Sequence, residues 1–317
     1  MRELETRCAE LEAGEVGFAF ASGPAAMVTV LDMLDAGAHV IAMDDFHGPT
    51  YRLFETVRRR SSGLDISFLD PLDIDQLAGE IRDETRMIWV QRLTQPYLRP
   101  IDLEAIAGLA KDRDLTTVCD NGPLTGAASK PLDQGFDISV YSSVSQLSGN
   151  PDLRAGLAVI AAGRDFAQDK LAYLRNALGT DIGRAEEADL SVCLDTLTDR
   201  ASRQYANAGA VANFLSEHPS VERVFYSGEA QVSSFVSAIV SNGMAGARRL
   251  IDRTTVIQPA RYLGGERSVI EHPASMSHEP IPAEVRAALD IPDGLVRLSL
   301  GTENTADIVA GLKQAFD

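Results

Sequence analysis

Apolar and polar positions alternate along the first half of the chain in a recurring order of helical and strand periods. ELETRCAELEA (3–13) spaces Leu and Ala as a helix does, and EVGFAFAS (15–22) reads as a buried strand. AAMVTVLDMLDAG (25–37) predicts a helix closed by Gly37, followed by a strand over 38–45. The same alternation predicts a helix over 50–60, a strand over 64–71 stopped by Pro71, and a helix over 74–83. It continues with strands over 86–93 and 116–121 around a helix at 103–113. Two further apolar runs, DISVY (137–141) and AGLAVIAA (155–162), flank the Ser- and Gly-rich stretch SSVSQLSGNPDLRAG (142–156). Such β-α alternation predicts an α/β fold, a mostly parallel sheet with helices on both faces.

From about residue 164 the pattern changes. Helical periods at 164–179 and 196–218 predict elements that bridge to a smaller C-terminal α/β part. That part holds apolar runs at 234–241 and 295–301, loop sequence at 260–265 and a closing helix over 305–316. The expected division is a large domain at 1–183 and a smaller one at 184–317. In open parallel sheets ligands bind beyond the carboxyl ends of the strands. Three predicted strands end there in polar pairs: Ser22-Gly23, Asp44-Asp45 and Asp120-Asn121.

Composition adds exclusions. A net charge of −17 over 317 residues repels nucleic acid and anionic membrane, so neither is expected as a partner. Three scattered cysteines form no disulfide framework and no CxxC metal site, which places the chain in a reducing cytoplasm. No apolar run approaches the roughly 20 residues of a membrane span.

Five segments, in order, carry a resemblance: LETRCAELEAGEVGFAFASGPAA (4–26), DDFHGPTYRLF (44–54), VCDNGP (118–123), LGGERSVIEHPASMSH (263–278) and SLGTEN (299–304). Together they resemble the pyridoxal-phosphate (PLP) enzymes of cysteine and methionine metabolism, the cystathionine synthase/lyase group. The resemblance runs nearly end to end and implies the PLP-dependent transferase-like fold, fold type I. It implies cofactor contacts at Ser22, Gly23, His47, Asp120 and Ser142, and a substrate-carboxylate clamp at Arg297. Asp120 would pair with the pyridine nitrogen, or else cap the turn after its strand. Arg297 would hold a carboxylate, or else form an interdomain salt bridge. Ser22, Gly23 and Ser142 would also suit tight turns for their small size alone.

Several positions depart from the family pattern. Ser145 stands where that resemblance places the Schiff-base lysine, and a hydroxyl cannot condense with an aldehyde as an amine does. Pro24 removes one N–H from the expected phosphate turn, although proline also suits a first helical turn. Val144 replaces a threonine, His47 the ring-stacking tyrosine, and Arg267 a glutamate. Residues 91–96 and 192–197 differ from the family's signatures, and a segment after Gly228 reads as shortened. The family's Tyr-x-Arg arm would precede residue 1.

These departures make the chain, on sequence, a pseudoenzyme: an assembly or regulatory subunit without covalently bound cofactor, in a homodimer, a homotetramer or a heteromer with an active relative. The alternative is a repurposed enzyme using non-covalent PLP, its amine form or no PLP, with His47 and Ser145 as catalytic pair. A third reading is a binding module whose Arg297 holds a small carboxylate.

Overall fold

The computed structural model describes residues 2–227, 233–260, 263–279, 281–282, 284–285 and 289–317. The first half runs α1 (Glu3–Glu12), β1 (Val16–Phe20), α2 (Gly23–Leu31), β2 (His39–Met43), α3 (Gly48–Arg52), α4 (Arg59–Ser61), β3 (Asp65–Leu69) and α5 (Ile74–Glu80). It continues through β4 (Thr85–Gln91), α6 (Leu103–Lys111), β5 (Thr116–Asp120), β6 (Ile138–Tyr141), α7 (Ser145–Ser148) and β7 (Gly156–Ile160).

These strands form one seven-stranded sheet in the order β1-β7-β6-β5-β4-β2-β3. β6, β5, β4, β2 and β3 are mutually parallel. β7 alone is reversed, lying antiparallel to both β6 and β1. Every residue of β2, β6 and β7 is buried. A sheet covered on both faces demands such unbroken apolar strands. The helix expected over 50–60 is interrupted: α3 passes into a π-helical turn at Leu53–Arg58 before α4. There Phe54 packs between Phe46 (5.3 Å) and Trp89 (5.2 Å).

The second half comprises α8 (Asp165–Leu178), α9 (Arg184–Leu194), α10 (Leu197–Ser216), β8 (Val221–Phe225), β9 (Phe235–Val240), α11 (Gly243–Arg253), β10 (Gln258–Pro259), β11 (Val269–Glu271), β12 (Leu295–Ser299) and α12 (Thr305–Phe316). Its five strands form a second sheet, β10-β11-β12-β9-β8, antiparallel except at β10–β11. α10 links two cores. Leu197 belongs to the core of the large sheet, whereas Ala208, Val211, Ala212 and Leu215 belong to the core of the small one. The segment after Gly228 and part of the 260–265 loop lie outside the described residues.

One buried polar group ties α1 to the large sheet. Glu12 is fully buried; its Oε1 accepts from the Tyr141 hydroxyl and from Asn121 Nδ2 at 2.8 Å. Burial raises the Glu12 carboxyl above its usual range, against the pull of those hydrogen bonds. The folded chain therefore holds this proton more tightly than the unfolded chain, so this group's contribution to stability falls as pH rises above the ordinary carboxylate value. Glu12→Gln keeps an acceptor for Tyr141 and Asn121 but cannot ionise. Urea unfolding at pH 5 and pH 7.5 is expected to show the variant gaining stability relative to the parent at the higher pH. An unchanged difference would mean that Glu12 does not titrate in the folded state.

Candidate functional site

The carboxyl ends of β4, β5 and β6 meet the amino end of α2 at one place. Asp120, the last residue of β5, is fully buried there. Its Oδ1 accepts from the backbone N–H groups of Gly122 (3.1 Å) and Ser142 (3.2 Å). Its Oδ2 accepts from Gln91 Nε2 at 3.1 Å and from the Ser142 hydroxyl. One carboxylate thus joins the ends of three neighbouring strands. Gln91 Oε1, beside it, is buried with no hydrogen-bond partner.

α2 begins against the same loop. Ser22 caps it, its Oγ accepting from Ala25 N–H at 3.2 Å, and Pro24 sits in the first turn. A Cβ on residue 23 would lie 1.7 Å from the Ser142 carbonyl oxygen, and one on residue 156 would lie 2.4 Å from the Ser22 carbonyl oxygen. Glycine at both positions is a condition of this backbone-to-backbone approach.

Gln91, Gly122 and Ser142, the groups that bond to Asp120, line a cavity of about 470 Å³. His47, Gln91, Ser142 and Ser145 line it from the large sheet's side, Phe235 and Arg297 from the small sheet. Met27, Leu53 and Val57 form an apolar wall. Four of the residues singled out from sequence, His47, Ser142, Ser145 and Arg297, therefore share one cleft, with Asp120 bonded to its lining and Ser22-Gly23 packed against Ser142.

Ser145 is 6% exposed and donates its hydroxyl to the Leu263 carbonyl at 2.9 Å, with Ser143 Oγ at 3.0 Å. Arg297 is held within the small sheet: its Nε and Nη2 meet Glu271 Oε1 at 2.8 and 2.5 Å. Residues 271 and 297 stand opposite each other on β11 and β12. Glu271 is fully buried and also accepts from Ser277 Oγ at 2.9 Å. Burial pushes its carboxyl up, and the Arg297 charge opposes that rise. Glu271 was not singled out from sequence, because its pairing depends on a strand register that no local motif declares. Gln91 was noted only as a departure; its bond to Asp120 gives it a place in the site.

The ring end of this cleft fits a pyridine. A carboxylate, a hydroxyl and an amide with an unpartnered oxygen are gathered at a cavity that His47 borders. Where the resemblance would put a phosphate stand Ser22, Gly23 and Ser142, and Pro24 offers no N–H there. Position 145 supplies a hydroxyl, and none of the chain's four lysines, Lys111, Lys130, Lys170 and Lys313, borders the cavity. Among the described residues no cluster of His, Cys, Asp and Glu could hold a metal ion, and no helix is long and apolar enough to cross a membrane.

A family model described as the Cys/Met metabolism PLP-dependent enzyme matches residues 1–317. The chain is 38% identical over 324 residues to the cystathionine beta-lyase of Coxiella burnetii, covering 98% of this chain and 84% of that protein. It is 34% identical over 330 residues to the cystathionine gamma-lyase of Dictyostelium discoideum, covering 100% and 84%. The crystal structure of cystathionine gamma-lyase from Lactobacillus plantarum, complexed with L-serine, superposes with a TM-score of 0.94 at 33% identity, covering 99% of this chain and 84% of that one. The α/β fold expected from sequence, with its large mostly parallel sheet, is the fold of this relative.

These matches overturn two expectations. The pseudoenzyme reading, with its assembly or regulatory subunit and its His47–Ser145 alternative, gives way to enzymes: near full-length relatives are named lyases. The expectation of no covalently held cofactor falls with it, because the matching family is one of PLP-dependent enzymes. The departures at Ser145, Pro24, Val144 and His47 had been given more weight than the segments that match the family. The folded chain has the buried carboxylate, its donors and a converging cavity in one place.

Proposed function

Because the chain belongs to the Cys/Met metabolism PLP-dependent enzyme family, we propose that it is itself a lyase acting on a sulfur-containing α-amino acid. The observation that carries this reading is the Asp120 carboxylate, buried beside a cleft that both sheets line. PLP, when bound, supplies an electron sink for charge developing on the substrate. Asp120 would hold the pyridine N–H, Ser22, Gly23 and Ser142 would border the phosphate, and His47 would lie against the ring. Arg297 would meet the substrate carboxylate. A guanidinium has five N–H donors, and Nε and Nη2 serve Glu271, so Nη1 supports the additional role. The apolar side chains of Met27, Leu53 and Val57 suit a thioether chain.

The reading carries two further proposals. One is a homodimer or homotetramer, read by light scattering on the purified chain. The other is a division into two domains, supported by the separate cores of the two sheets; Leu190 and Leu197 pack on the large core, which favours a boundary within α10 over one at 183/184.

The deciding experiment adds PLP to the purified chain, records its absorbance, and then supplies cystathionine or methionine. A saturable new band and release of a 2-oxo acid are expected. No band and no product from either amino acid would overturn the proposal.

A further inference from the structure

A third apolar cluster joins the two halves of the chain. Leu93, Leu98 and Leu124 reach it from the segments that follow β4 and β5, and Phe235 from the start of β9. Leu263, in the loop before β11, packs against it. Phe235 and Leu263 also line the cleft. The seam between the large and small sheets therefore contributes one side of the cavity, and whatever fixes the seam fixes that side.

The turn between β6 and β7 crosses this seam with polar groups. Ser145 Oγ donates to the Leu263 carbonyl at 2.9 Å, and Gln146 Nε2 to Ser234 Oγ at 2.9 Å. The Gly149 carbonyl accepts from Glu266 N–H at 2.8 Å. The middle of the loop is held by other elements: Gly264 N–H donates to Ser299 Oγ at 3.1 Å, and Gln204 Nε2 of α10 to the Gly265 carbonyl at 2.7 Å. Leu263, the residue of this loop that lines the cleft, is held by Ser145. The approach is close. A Cβ on residue 264 would lie 2.4 Å from Ser145 Oγ, and Gly264 sits at φ +100°. The direction of the bonds follows from the single proton of the hydroxyl. A carbonyl only accepts, so that proton is committed to Leu263, and Ser143 Oγ, 3.0 Å away, donates to Ser145 Oγ in turn.

We propose that Ser145 is a positioning residue whose hydroxyl clasps the two halves of the chain and fixes Leu263 where the cleft receives the apolar side chain of the substrate. Without the clasp the loop spends part of its time with Leu263 displaced, and apparent affinity falls by the fraction that stays in place. The role toward substrate rests on the lyase reading above; the clasp itself does not.

The test first follows amide hydrogen exchange of the segment 263–266 in the full chain without PLP, by mass spectrometry. Ser145→Ala is expected to speed it roughly threefold to tenfold, the effect of losing one hydrogen bond. Ser145→Thr keeps the hydroxyl and can turn its methyl into the cavity that position 145 borders, so its exchange should stay within about twofold of the parent's. The second measurement is lyase kinetics with saturating PLP. KM for cystathionine should rise roughly threefold to tenfold in Ser145→Ala and return in Ser145→Thr, with kcat within about twofold, because bound substrate selects the clasped loop. A parent that lacks lyase activity but whose exchange responds as expected would sink the lyase reading alone, and the clasp would stand. Unchanged exchange in Ser145→Ala, exchange as fast in Ser145→Thr as in Ser145→Ala, or a fall in kcat at constant KM would overturn the proposal.

Discussion

Asp120→Asn is expected to fold and yet to lose PLP affinity by about tenfold or more and lyase turnover by about 100-fold or more. The asparagine is close to isosteric, so the packing around β5 is undisturbed. Its carbonyl oxygen can still accept from the Gly122 and Ser142 N–H groups. Its new NH₂ faces two groups that can adapt. The Ser142 hydroxyl can turn to accept, and a flip of the Gln91 amide brings its unpartnered Oε1 to the vacated side. The charge is what cannot be replaced. A neutral amide no longer favours a protonated pyridine nitrogen, on which electron withdrawal by the ring depends. Urea unfolding, a PLP titration and kcat/KM with cystathionine separate these effects. An unfolding midpoint near the parent's with full PLP affinity would remove Asp120 from the site.

Arg297→Ala should act mainly on stability. Glu271 would be left in the interior of the small sheet without its counter-charge, a change that costs about 3–5 kcal/mol. The melting temperature should fall by roughly 6–15 °C. Removing the guanidinium also removes what opposes the upward push of burial on the Glu271 carboxyl. The variant would then bind that proton more tightly when folded, so its deficit should shrink as pH falls below the raised value. Adding Glu271→Gln to Arg297→Ala should recover much of the loss, because the buried charge is gone. Thermal unfolding of the four proteins at two pH values measures all of this. Additive losses in the cycle would show that the pair is not coupled.

The strands of the large sheet were legible because burial on both faces writes them as continuous apolar runs, HVIAM at 39–43 and GLAVI at 156–160 among them. Direction was not legible. Nothing in GLAVI says that β7 runs against β6. The short strands β10 and β11 fell below the length at which a period can be read, and β8 is too exposed to show one. α9 carries charge through its first turns and a single buried residue, Leu190, so its apolar stripe was missed. The π turn at 53–58 escaped because apolar spacing there does not distinguish it from an α turn. The cleft was legible in its members and not in its bonds. His47, Ser142, Ser145 and Arg297 were identified one by one, whereas Gln91 and Glu271 acquire meaning only through partners 29 and 26 residues away in the chain. Function was misread where the joint departures at Ser145, Pro24, Val144 and His47 were set above the near full-length match to the family.

The reversed strand β7 settles how evolution can reach the cleft. A parallel neighbour would need its chain carried back across a face of the sheet, normally as a helix packed on the core. β6 and β7 instead turn around on the side where Asp120 ends, in a stretch that anchors itself in the core through Val144, Leu147 and Ala155 and exposes Ser143 and Asn150. A substitution at the exposed position 143, which borders the cavity, can reshape what the pocket accepts at little expense to folding, so variation within this group should concentrate there before it reaches the strands.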